Sequence, residues 1–135
     1  MKFYRIENEF NEGPYTTKKA ELTLMEYLSM EDVLDNESYD NRWEDYMETH
    51  PSPRGKDVQL YNQLFESEII HYEDYVYGFN SQKQLKKWFC LEKEIEYLKL
   101  FGFHISVYET DSILSSNFQA VAKLNTLKLI ETIDI

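Results

Sequence analysis

The stretch SQKQLKKWFCLEKEIEYLKLFGFHISVYE, residues 81–109, decides the fold. Ser81 is a natural helix N-cap, and Gln84 three residues later completes a capping box. Their side chains can satisfy backbone N–H groups that no helical carbonyl reaches. Leu85, Trp88, Phe89, Ile95, Leu98 and Phe101 then recur at helical spacing, while Lys86, Lys87, Lys93, Glu94 and Glu96 cover the other side. Gly102 stands where a left-handed residue commonly ends a helix. The pattern predicts one long helix over about 82–101. Beyond it, Phe103 to Glu109 alternate with period two, the signature of a half-buried strand.

Working outward, residues 117–123 read as a strand that returns on 103–109 as a hairpin, and 127–135 as a last strand. Upstream, Tyr75–Phe79 is a short strand, and residues 58–72 form a helix with Leu60, Leu64, Ile69 and Ile70 as its buried candidates. At the start, residues 2–7 are a strand with Tyr4 and Ile6 on one face and Phe3 and Arg5 on the other. Gly13-Pro14 punctuates it, and residues 19–34 carry Leu22, Met25, Tyr27, Leu28 and Val33 at roughly helical spacing. Tyr39, Trp43 and Tyr46, at steps of four and three, predict a short amphipathic helix with Asp40, Glu44, Asp45 and Glu48 outward. Two prolines and a glycine make His50–Asp57 the clearest loop. The expected architecture is α+β over a single domain, 1–135. It is a small, mostly antiparallel sheet packed on one face by the long helix, with an additional acidic helical segment.

The 135 residues carry 14 Lys plus Arg against 25 Asp plus Glu, a net charge of 14 − 25 = −11. From Glu26 to Asp74 there are 14 acids against Arg42, Arg54 and Lys56, so this stretch alone accounts for −11 and the rest is neutral. Such a surface repels phosphate backbones and anionic membranes and attracts basic partners, so direct nucleic-acid and membrane binding are not expected. No apolar run approaches the ~18 residues of a spanning helix. The start of the chain lacks a secretory pattern, and one cysteine cannot make an internal disulfide, so the cytoplasm is the expected compartment. Cys90, within the apolar helical pattern, reads as a small buried hydrophobe.

An ordered series of short motifs resembles a loose family of small accessory proteins encoded by bacteriophages and prophages. It comprises Tyr4-Arg5-Ile6, Gly13-Pro14-Tyr15, His50-Pro51 with Pro53 and Asp57, Gly78-Phe79 with Ser81, Leu85 with Trp88-Phe89, Gly102-Phe103, and Val107-Tyr108-Glu109 followed by Gln119. A longer acidic segment between Tyr15 and His50 departs from it. The resemblance implies a phage accessory protein and supplies no catalytic residues.

Two functional readings follow. In the first, Asp32, Asp35, Glu37, Asp40, Glu44, Asp45 and Glu48 make a row of charges about 5–7 Å apart, similar to phosphates along a nucleic-acid strand. Tyr39, Trp43 and Tyr46 within that row would anchor a host protein with a basic surface, such as a CRISPR effector or a nuclease of an antiviral defence system. The loop between His50 and Asp57 is a second place of interest, since loops often carry function. In the alternative reading, the order Arg5, Ser81, Glu109 resembles ADP-ribosyltransferase folds, which implies an ADP-ribosyltransferase-like or nucleotide-binding protein acting on NAD or a defence signal molecule, with a phosphate-holding guanidinium and a carboxylate facing an oxocarbenium-like transition state. The chain has no glycine-rich phosphate cradle, and His50, His71 and His104 match no local metal-ligand spacing, so neither cofactor nor metal is expected.

Overall fold

The N-terminal alternation becomes β1 (Lys2–Glu7), which turns Ile6 into one core layer and Phe3 into another. The computed structural model describes residues 1–18, 22–30, 46, 50–51, 56–67 and 74–135. Among these the order continues with α1 (Leu24–Met30), α2 (Val58–Glu66), β2 (Tyr75–Gly78), α3 (Gln82–Trp88) and α4 (Glu92–Leu100). Then come β3 (His104–Glu109), β4 (Leu114–Ser115), β5 (Ala120–Lys123), a 3-10 turn at Leu124–Thr126, and β6 (Lys128–Ile133). The class is α+β. The predicted helix around Tyr39–Glu48 lies outside the described residues except for Tyr46, as do Val33, Ile69 and Ile70.

The strands form two antiparallel sheets, β1-β3-β6 and β2-β5-β4, rather than one. The expected hairpin between 103–109 and 117–123 is absent. β3 takes β1 and the C-terminal β6 as neighbours, while β5 pairs with β2 and β4. On β6, Ile130 is the extra residue of a bulge, since Val107 faces Glu131 and Tyr108 faces Leu129. The sheets meet where Tyr4 and Phe79 exchange backbone hydrogen bonds, both 2.8 Å. Gly78 makes that approach possible, because a Cβ there would run into the Tyr4 carbonyl oxygen and the Phe3 ring.

The predicted long helix is two helices. Phe89 closes α3 with a non-helical ψ of 67°, and Leu91 is extended. Two groups stabilise the break. The Glu94 carboxylate accepts from Leu91 N at 3.0 Å, and a ring nitrogen of His50 takes the Trp88 carbonyl, which has no helical partner once the helix stops. The break lets Leu85, Trp88 and Phe89 of the first segment and Tyr97 and Leu98 of the second enter the same core, with Leu24, Tyr27 and Leu28 of α1 and Ile105 and Val107 of β3. It also leaves Cys90 exposed, where an unbroken helix would have buried it.

Candidate functional site

The most concentrated polar chemistry among the described residues lies inside this break. Glu94, expected on the solvent side, is fully buried, as its place between Leu91 and Leu98 on the i, i+3, i+7 face allows. One of its oxygens accepts from the Tyr46 hydroxyl at 3.1 Å and lies 3.3 Å from His50 Nε2. Tyr46 and Tyr15 share a hydroxyl–hydroxyl bond of 3.0 Å, and Trp88 Nε1 donates to Tyr15 at 2.8 Å. The His50 ring stacks on Tyr46 with centroids 3.8 Å apart, and its Nδ1 is 2.8 Å from the Tyr46 carbonyl.

Both ring nitrogens of His50 thus face oxygen acceptors, an arrangement suited to the doubly protonated ring. Burial lowers the imidazole pKa, but the hydrogen bond and charge of Glu94, with the Tyr46 and Trp88 carbonyls, outweigh it and raise the value overall. Burial also pushes the phenols of Tyr15 and Tyr46 far above their usual range, so both stay neutral. With His50 at 5% and Glu94 at 0% exposure, the group is placed to hold chain segments together rather than to meet a substrate.

Two further buried carboxylates behave alike. Glu7 takes Arg5 Nη1 at 2.8 Å and the Tyr108 hydroxyl; burial first, then Glu7, pushes that phenol up to about 12. Asp57 caps α2 through Leu60 N and also accepts from Ser116 Oγ and from Gln119 Nε2 at 3.0 Å. Gln119 Nε2 reaches the Pro51 carbonyl as well, at 2.8 Å. His50 and Asp57, singled out as loop residues, are therefore the buried anchors at the loop's two ends; residues 52–55 lie outside the described residues.

Of the Arg5, Ser81 and Glu109 set, Arg5 and Glu109 are not brought together. Arg5 faces Ser106 across the sheet and Glu109 faces Lys2, three residues along, hence about 10 Å away and on the opposite face. Arg5 is engaged by Glu7 and the Tyr77 carbonyl, Ser81 Oγ accepts from Gln84 N as a helix cap, and Glu109 pairs with the N-terminal ammonium. Of the predicted partner-binding residues, Asp32, Asp35, Glu37, Tyr39, Asp40, Trp43, Glu44, Asp45 and Glu48 lie outside the described residues. Tyr46 is described, and its ring is in the core instead of on a contact surface. A depression of about 210 Å³ bordered by Tyr75, Ser112 and Lys123 contains none of the predicted residues. Among the described residues no three His, Cys, Asp or Glu side chains could together hold a metal ion, and no helix is long and apolar enough to cross a membrane.

A protein-family model described as bacteriophage T4 Y00F protein matches residues 1–135, the whole chain. The chain belongs to the Y00F family. No curated protein and no solved structure matches it. Membership makes this a phage protein, as the resemblance implied, while the roles of individual Y00F residues rest on their geometry.

The residues that sequence reasoning missed are Glu94, Tyr15 and Trp88 as partners of one network. A signal for Glu94 existed, since Leu91, Glu94, Leu98 and Phe101 share one helical stripe. The joining of Tyr15, Tyr46 and Trp88 had none, because it depends on contacts 31 and 73 positions apart.

Proposed function

We propose that this phage protein acts without catalysis, by binding a host protein through its acidic stretch and blocking that protein's basic surface. The observation that carries the reading is the confinement of the whole net charge of −11 to residues 26–74, with a neutral remainder. A host protein with a nucleic-acid-binding groove, such as a nuclease or CRISPR effector of an antiviral defence system, presents the complementary charge. The same field repels nucleic acid itself. Oppositely charged surfaces raise association rates by about 10- to 1000-fold at low ionic strength.

The anchors flanking the most acidic part support the reading. α1 is held through buried Leu24, Tyr27 and Leu28, and Tyr46 and His50 are buried as well. Residues 31–45 carry seven acids against Arg42 and lie in sequence between these buried residues. Tyr39 and Trp43 are the aromatic contacts within that stretch, and Tyr46 serves as its mooring.

Affinity capture from host lysate tests the reading. A host protein retained at about 0.05 M salt and released at about 1 M, where charges are screened beyond about 3 Å, is the expected result. A complex indifferent to salt would remove the steering mechanism, and recovery of nucleic acid alone would overturn the choice of partner.

A further inference from the structure

α2 is apolar on two sides, and among the described residues one of them carries the packing contacts. Leu60 is fully buried. Gln63 exchanges hydrogen bonds with the Ser115 backbone at 2.7 and 3.2 Å, and Gln59 accepts from Asn117 N at 3.2 Å. Away from these contacts, Val58, Tyr61 and Phe65 are 61%, 45% and 77% exposed. At about 100° and 1.5 Å per residue they project within about 60° of one another, as a stripe roughly 10 Å long. Single exposed apolar residues are ordinary, whereas an aligned group marks a contact surface.

Charge selects the occupant. α2 lies within the stretch whose net charge is −11, and of the exposed charges described beside it the acids Glu66 and Asp74 outnumber Lys56. A second copy would bring the same negative charge against itself, and an anionic membrane is repelled in the same way. A cationic protein surface is attracted. We infer that Val58, Tyr61 and Phe65 form the apolar anchor of an interface with a host protein, seated in a pocket of that protein rimmed by Lys and Arg. This rests on the proposed acidic-face reading and gives it an aromatic contact that Tyr46, being buried, does not supply. Tyr and other large side chains in such pockets carry a disproportionate share of binding energy.

The test uses the full chain with a photoreactive benzoylphenylalanine replacing Phe65 or, separately, Asp40, irradiated in host cells. It is paired with capture by the double variant Tyr61→Ala/Phe65→Ala. Position 65 is expected to cross-link to a host protein with a basic surface. The double variant, with an unchanged melting curve, is expected to hold that protein at least about tenfold more weakly at low salt. Cross-linking from position 40 but not 65, or from 65 to a second copy, with normal binding by the double variant, would overturn the stripe and leave the acidic-face reading standing. No adduct at either position together with no salt-sensitive capture would overturn both.

Discussion

Replacing Glu94 with glutamine keeps the shape of the side chain and an acceptor for Leu91 N, but removes the charge 3.3 Å from His50 Nε2. Removing one member of a buried ion pair costs about 3–5 kcal/mol, because the other charge is left uncompensated. His50 can limit that cost by releasing its proton, which places the expected loss at the lower end, about 3 kcal/mol. Against a total stability of the order of 5–15 kcal/mol this is a large fraction. It corresponds to a fall in melting temperature of roughly 10 °C. Urea denaturation followed by circular dichroism, at about pH 5.5 and about pH 9, measures it, with His50→Gln and the double variant completing a cycle. The sign of the pH effect follows from the raised imidazole pKa. A raised value in the folded state gives stability that is fully present below the unfolded pKa of about 6.5 and is lost as pH rises through the folded value. The wild type should therefore lose more stability than Glu94→Gln on going from acid to alkaline pH. A variant within about 1 kcal/mol of the wild type, with the same pH slope, would show that the pair does not hold the helix break.

Other expectations follow from single positions. Gly78→Ala forces a Cβ against the Tyr4 backbone and the Phe3 ring, and should lower stability by about 1–3 kcal/mol or more in the same denaturation assay. Arg5→Ala leaves buried Glu7 without its guanidinium partner, and a loss of about 3 kcal/mol is expected, whereas a dispensable arginine would cost almost nothing. Cys90 is exposed at the helix break, so one equivalent of a thiol reagent should react with the native protein at a rate unaffected by mild denaturant. Labelling only after unfolding would restore the continuous helix that the sequence alone suggests.

Local periodicity made much of the fold legible. β1, β3 and β6 alternate, α3 carries its cap at Ser81, and each appears in the structure close to where the pattern places it. The helix break was hidden because Leu85, Trp88, Leu98 and Phe101 keep enough helical spacing to run through it, and because its stabilising groups, His50 and Glu94, lie 44 positions apart. Strand partners were hidden for a related reason. Residues 117–123 follow β3 in sequence and invite a hairpin, but β5 buries Ala120, Val121 and Ala122 beside β2 instead. The Asp57–Ser116–Gln119 and Arg5–Glu7–Tyr108 groups depend on contacts between distant positions, so no local pattern points to them. The acidity of residues 26–74 was fully legible, because charge is a property of composition and needs no contact to reveal it.

The seven acids from Glu31 to Asp45 offer a decisive comparison, since neutralising all of them (Glu31→Gln, Asp32→Asn, Asp35→Asn, Glu37→Gln, Asp40→Asn, Glu44→Gln, Asp45→Asn) preserves side-chain size. Capture of the host protein by this variant at low salt, measured beside the wild type with matching melting curves, is expected to fall to the level the wild type shows at high salt. Undiminished capture would contradict binding through the acidic stretch.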